Sequence, residues 1–348
     1  MPKIFACFFV FMMVLQTCKP SEDTNTQAKS QKTLFDTDTL LQLTLQTEIN
    51  ILQKDIDTNN RYHQAILVWN NKSLQAKVKT RGNFRRDPDN CDFPPLFIQV
   101  DSTDAQNTIF EGLHKLVLVT HCQQNNPDFE QMLLEEYAIY KMYALFTNKS
   151  LRVRLAKIRY QDSQKPNLYV EKLAFFVENF RDLEKRLQAI KPKTETTNPK
   201  DTIRYIDCNS FLMTQTAVFQ FLIGNTDWSV SNKHNIEIMN FTKQKPIAIP
   251  YDFDLSGIVD APYAEPLPAL KLQNVRQRLY RGYCQSDAEV YLVLDIFKEK
   301  QKSIDSLWKN LPYYQTQRRQ KTQQYIDSFF ELLNKKDSVQ FYFFRNCR

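Results

Sequence analysis

Apolar and polar residues alternate along much of the first half of the chain. Residues 40–45 read Leu40-Leu41-Gln42-Leu43-Thr44-Leu45, and residues 65–69 and 74–79 repeat the alternation on either side of Asn70-Asn71. A period of two carries side chains to opposite faces of a strand, so these segments predict strands, the latter two paired through the Asn-Asn turn. Residues 96–100 and 115–119 predict further strands, and 151–160 with 168–177 predict a hairpin around the polar turn 161–167. The period lengthens over 130–146, where Met132, Leu133, Tyr137, Tyr140 and Leu145 recur at helical spacing with Glu135 and Glu136 at the middle.

The second half reads differently. Ser210 is a fair N-cap for a helix whose buried face is Phe211, Leu212, Thr216, Phe219, Leu222 and Ile223, and Gly224 ends it. Residues 236–239 and 247–249 bracket 240–245 as a small hairpin. Residues 287–300 and 314–335 predict helices, and the Lys-, Thr- and Pro-rich stretch 191–201 predicts a surface loop. A β-rich part over 39–178 followed by a mainly helical part over 179–348 predicts an α+β body of two lobes.

The ends and the composition narrow the class. Lys3 followed by the apolar run 4–15 is a targeting segment too short to span a bilayer. Leu15-Gln16-Thr17-Cys18 resembles a bacterial lipobox, departing from it at Thr17, where Gly, Ala or Ser is usual. Residues 1–17 then form a lipoprotein-type signal, Cys18 carries lipid, and 18–38 is a polar tether. A plain signal peptide with an incidental cysteine is the other reading. Both take the chain out of the cytoplasm to the bacterial cell envelope, facing the periplasm or the exterior, where disulfides form. Of seven Cys, setting aside Cys7 and Cys18 leaves an odd number, so one thiol stays free. Cys91 and Cys122 flank segments that could pair, and that bridge is favoured. The absence of a CxxC pair argues against structural zinc, as do the scattered His63, His121 and His234. The formal net charge of +7 is spread over interleaved basic and acidic residues, which argues against a nucleic-acid partner.

The chemistry concentrates between 225 and 254. Asn225-Thr-Asp227-Trp-Ser-Val-Ser-Asn232 follows the Gly224 helix end at once, and Tyr251-Asp252-Phe253-Asp254 stands at the exit of the small hairpin. Phosphoryl transfer needs the nucleotide held in line, its charge neutralised and a carboxylate near the acceptor hydroxyl. Asp227 fits the catalytic carboxylate. Asn232, Asp252 and Asp254 offer hard oxygen donors for Mg2+ or Mn2+. No GxxxxGK[ST], GxGxxG or GxSxG motif occurs, and only 5 Gly are present. Thr80-Arg81-Gly82-Asn83-Phe84-Arg85-Arg86 is the best substitute phosphate turn, with Arg81 as the contact. Lys115 could reach the phosphates and pair with Glu135 or Glu136.

At these residues the chain resembles the CotH family of spore-coat protein kinases, an atypical branch of the protein-kinase-like fold. The likeness lies in Val78-Lys-Thr-Arg81-Gly82-Asn83, in the strand after Lys115 with the helix at 130–146, in Ala174-Phe-Phe-Val-Glu178, and in 225–235 with Pro250-Tyr-Asp252-Phe-Asp254. It spans roughly residues 75–260. The resemblance implies ATP as donor, a divalent metal and phosphorylation of protein side chains (Ser/Thr), with Asp227 catalytic, Asn232 and Asp252 on metal, Arg81 on phosphate and Glu178 at the interlobe hinge; a glycan hydroxyl is the other acceptor class expected for an envelope protein. Where the family turn continues with small hydroxyl residues, this chain has Phe84-Arg85-Arg86. The expected protein is an envelope-anchored kinase. The alternatives are a pseudokinase-like binding lipoprotein or a structural envelope protein, and transfer of AMP in place of phosphoryl stays open.

Overall fold

In the computed structural model, which describes Met1 and residues 33–54, 61–82, 84–113, 115–190 and 203–348, the alternating segments become β1 (Leu41–Thr47), β2 (His63–Trp69), β3 (Lys72–Thr80), β4 (Leu96–Val100), β5 (Leu116–Val119), β6 (Val153–Asp162) and β7 (Tyr169–Val177). Asn70 and Asn71 both take the left-handed conformation, with φ of 47° and 62°, as a two-residue turn between β2 and β3 requires. The seven strands close into a barrel in the order β1-β2-β3-β4-β5-β7-β6. Every neighbouring pair is antiparallel except β1 and β6, which run parallel and seal it, Leu43 opposite Ile158. Leu43, Leu67, Val78, Ile98, Leu118, Ile158 and Phe176 fill the interior. The intervening positions, among them Lys79, Phe97 and Val117, are only half-buried on the outer side.

The described residues thus form a mixed α+β body, but the two expected lobes are not separate units: Lys32–Arg348 is one compact unit. The reason lies in α2 (Pro127–Tyr143), which starts on the Asn126 cap and is buried on nearly all sides. Its Leu134, Ile139 and Met142 belong to the second apolar cluster, with Phe219, Phe253 and Phe297 of the helical part. That part contains α4 (Ser210–Ile223), the hairpin of β8 (Ile236–Met239) and β9 (Ile247–Pro250), α5 (Asp287–Lys309), α6 (Thr316–Leu333) and the short α7 (Lys336–Val339). Two short helices escape the periodicity argument: α1 (Ile49–Gln53) after β1, and α3 (Phe180–Leu187) after β7.

Some boundaries moved. Asn209, not Ser210, caps α4: its Oδ1 accepts from the Leu212 N–H at 3.0 Å, while the Ser210 hydroxyl bonds Glu289 at 2.9 Å. The folded body reaches back into the expected tether, since Leu34 is fully buried and its carbonyl accepts from Arg154 Nη1 at 2.9 Å. The signal, the lipobox Cys18, most of the tether and the 191–201 loop lie outside the described residues. Cys91 and Cys122 are bridged, as are Cys284 and Cys347, leaving Cys208 as a buried free thiol. Among the described residues no helix is long and apolar enough to cross a membrane.

Candidate functional site

Gly224 ends α4 in the left-handed conformation at φ 69°, where a Cβ would strike the Tyr325 hydroxyl. The chain therefore turns at once into the Asp227 loop. The Asn225 side chain accepts from the Asp227 N–H at 2.9 Å. One Asp227 carboxylate oxygen lies 2.8 Å from His234 Nε2, and the other accepts from Asn235 Nδ2 at 2.8 Å. Asn235 also donates to the Asp227 carbonyl at 2.9 Å, so a single amide pins both ends of that residue. From below, Arg281 donates to the Thr226 and Trp228 carbonyls, the latter at 2.8 Å, with its guanidinium 5.6 Å from the centre of the Trp228 ring.

Asp252 leaves β9 at φ 60°, in the left-handed region that few residues besides Gly, Asn and Asp adopt. Its N–H donates to the Tyr140 hydroxyl at 2.9 Å, and its carboxylate makes no hydrogen bond or ion pair to any described residue. Burial raises its pKa, with the neighbouring Asp254 adding to the effect. Asp254 is held differently. Arg85 Nη2 lies 2.5 Å from Asp254 Oδ2 and 3.3 Å from Glu136 Oε2, and the Tyr263 hydroxyl donates to the same Asp254 oxygen at 3.1 Å. Burial lifts the Glu136 carboxyl to about 7 against the pull of Arg85.

These groups face one cavity of about 470 Å³, lined by Arg81, Gly82, Arg85, Asp227, His234, Asn235, Asp252 and Asp254 among others. A second cavity of about 260 Å³ shares Arg81, Val119, Tyr251 and Asp252 with it and runs along the outer side of the barrel past Phe97, Lys115 and Val117 to Val177, Glu178 and Phe180. Hollows of about 500 and 650 Å³ on the barrel flank are lined by Gln64 and Gln75 but bring no comparable set of carboxylates together.

Of the residues singled out in the sequence, Asp227, Asp252, Asp254 and Arg81 meet in the first cavity. Lys115 and Glu178 line the second, but not as expected. The Lys115 ammonium sits 4.2 Å from the centre of the Phe97 ring and pairs with neither Glu135 nor Glu136. The Glu178 carboxylate bonds Arg152 at 3.1 Å and Arg186 at 2.7 Å. Glu135 faces away from both cavities, bonded to the Tyr314 hydroxyl and, at 2.7 Å, to Arg318. Asn232 sits exposed in the turn, its N–H 3.3 Å from Ser229 Oγ, and lines neither cavity. Sequence reasoning missed Asn235, Arg85, Tyr263 and Arg281. Asn235, next to the first residue of a strand, and Arg85, in a basic turn, carried a local signal. Tyr263 and Arg281 carried none.

A divalent cation fits the donor set in part. Asp252 supplies an unbonded, half-buried carboxylate, and Asp254 and Asn235 stand in the same wall. Among the described residues no group of three or more His, Cys, Asp or Glu side chains is placed to hold a metal alone. Magnesium bound through one or two carboxylates and substrate phosphates needs no such cage.

No protein-family model and no curated protein matches the chain. Among solved structures it is similar to the Helicobacter pylori proinflammatory kinase CtkA, at 12% identity and a TM-score of 0.34, over 79% of this chain and 90% of that one. A likeness of that size carries no argument about fold or activity, which are argued from the geometry above.

Proposed function

We propose that this chain is a kinase-like phosphotransferase of the bacterial envelope, related to the CotH family and anchored through lipid on Cys18. It would move the γ-phosphoryl group of ATP to a protein or glycan hydroxyl. The observation that carries the reading is the convergence of Asp227, Asp252 and Asp254 with Arg81 on one cavity, two of those carboxylates following a single strand exit. In this reading Asp252, with Asn235 and the free oxygen of Asp254, would hold Mg2+ or Mn2+, which would supply positive charge to the phosphates. The acceptor oxygen forms the new bond to phosphorus as the bond to the departing diphosphate breaks, and its proton goes to Asp227. His234 and Asn235 hold the Asp227 carboxylate against rotation. The second cavity, apolar along Phe97, Val117 and Val177, is the place for the base.

The capture of Asp254 by Arg85 favours a second reading, a pseudokinase-like module that binds nucleotide without turnover. One experiment separates the two: the mature chain with labelled ATP and Mn2+, with Asp227→Ala beside it. Transfer of label to the chain or an added acceptor, lost in Asp227→Ala, supports the enzyme. A nucleotide-dependent thermal shift without transfer, unchanged by Asp227→Ala, supports the binding module. Neither shift nor transfer refutes both.

A further inference from the structure

Asp227 sits in a loop that belongs to no helix or strand, yet the three successive carbonyls of Thr226, Asp227 and Trp228 are each taken by a side chain. Asn235 Nδ2 takes the middle one at 2.9 Å. A single nitrogen, Arg281 Nη1, takes the two on either side, that of Trp228 at 2.8 Å. Thr226 and Trp228 are buried, where a carbonyl left without a donor is costly. Burial and the neighbouring Arg348 lower the Arg281 pKa to about 10, with Asp227 opposing them, so the guanidinium keeps its charge at neutral pH.

Arg281 itself stands on a stretch, 278–286, that has no helix or strand to fix it. Its hold comes from residues 343–348. The Tyr280 ring meets the Phe343 ring edge-on, with centres 4.9 Å apart. The Arg348 N–H donates to the Gly282 carbonyl at 2.9 Å, and the Cys284 N–H donates to the main-chain oxygen of Arg348 at 3.1 Å. The Cys284–Cys347 bridge then ties the two stretches covalently. Positions 280, 282 and 284 are thus fastened to 343–348, while 281 and 283 reach toward the loop. Tyr283 stacks on Tyr205 with ring centres 4.5 Å apart, and Tyr205 in turn lies 6.5 Å from Trp228. Hydrogen bonds to main chain at the surface open readily, and a covalent tie removes that freedom.

We propose that Arg281 is a positioning residue for Asp227, and that the Cys284–Cys347 bridge holds Arg281 in place. The Asp227 loop then keeps its shape only in the chain that carries this bridge. The effect on rate rests on Asp227 receiving the acceptor's proton, as proposed above; the effect on the shape of the loop does not.

Hydrogen exchange of the amides of residues 226–235, with those of α4 as the internal standard, reads the loop without any substrate. The wild type is compared with Arg281→Met, with Cys284→Ala/Cys347→Ala and, as a control, with Cys91→Ala/Cys122→Ala. The first two variants should exchange the loop amides at least about tenfold faster than the wild type with α4 unchanged, and the control at the wild-type rate. In phosphoryl transfer from ATP with Mn2+, Arg281→Met should lower kcat at least about tenfold and leave KM for ATP within about twofold, because a loosened Asp227 displaces the proton acceptor and not the nucleotide. Loop amides that exchange at the wild-type rate in Arg281→Met, or that speed up only as much as those of α4, overturn the positioning role. So does an active wild type whose kcat is unchanged in Arg281→Met. Faster loop exchange in Arg281→Met but not in Cys284→Ala/Cys347→Ala overturns the role of the bridge, as does a bridge variant that loses α4 protection or the same loop exchange in the control, since the bridge would then serve the whole fold. Faster loop exchange in both variants, with no transfer by the wild type, leaves the positioning of the loop standing and removes the phosphotransferase reading.

Discussion

Replacing Arg85 by Met should destabilise the protein by an amount that grows with pH. Arg85 Nη2 lies 2.5 Å from Asp254 and 3.3 Å from Glu136, and the three side chains are 13%, 14% and 3% exposed. At these distances water screens little of the attraction, and removing one partner of a buried pair typically costs about 3–5 kcal/mol because the other charge is left behind. Glu136 can soften that loss by taking up a proton. Its carboxyl is raised from 4.5 to about 7, burial being the first cause and Arg85 the first opposing one. The folded state therefore binds this proton more tightly than the unfolded chain. Stability from this group is fullest below about pH 4.5 and falls as pH rises to about 7. Without Arg85 the folded value climbs further, so the decline continues above pH 7 at up to about 1.4 kcal/mol per pH unit. The expected loss is about 2 kcal/mol at pH 6, where Glu136 is protonated in the variant, and about 3.4 kcal/mol at pH 8, one pH unit of extra slope above pH 7. Urea unfolding of the oxidised protein at both pH values measures it, and the double variant Arg85→Met/Glu136→Gln should abolish the extra slope. Equal losses at the two pH values, or a loss under about 1 kcal/mol at pH 8, would refute the reasoning.

Two further outcomes bear on the cleft. Asn235→Ala should cut phosphoryl transfer by about a hundredfold by freeing the Asp227 carboxylate from one of its two holds, whereas Asn232→Ala, exposed and outside the cavity, should leave the rate unchanged; steady-state rates of the two variants decide this, and the reverse order would restore Asn232 as the metal residue. Asp252→Asn should raise the unfolding free energy at pH 8 by about 1 kcal/mol, since an amide ends the repulsion with Asp254 and Asn tolerates φ 60°, while removing the Mn2+-nucleotide thermal shift. A destabilised Asp252→Asn with its nucleotide shift intact would show that Asp252 is structural.

Much of the local structure was legible in the chain. Period-two alternation marks β1 to β4 because each of those strands presents one side to the barrel interior, so Val78 or Ile98 cannot be polar while their neighbours can; β5 and the paired ends of β6 and β7 are largely buried on both sides and read as mainly apolar runs. Gly224 marks a helix end because only glycine fits there under the Tyr325 hydroxyl. The motif from Asp227 to Asp254 was legible for a similar reason: a loop after a capped helix and a strand exit are where carboxylates can face a cavity. Spacing failed at Asn232 and Asn235. Both obey loop chemistry, and which of them turns inward is decided by φ 51° at Asn235 and its two hydrogen bonds to Asp227, a matter of three-dimensional path.

The sequence by itself determined the strands, the main helices, the odd free cysteine and the neighbourhood of the carboxylates that line the cavity, because each depends on residues close together in the chain. Tertiary structure alone decided that β1 and β6 close a barrel and that α2 joins the barrel to the helical core. It also decided that Glu136 rather than Glu135 faces the cleft, and that Arg85 bridges Glu136 and Asp254. Those outcomes depend on partners far apart in sequence. A helix turn places Glu135 and Glu136 about 100° apart on its circumference, and only the position of Arg318 on one side and Arg85 on the other tells which carboxylate belongs to the site.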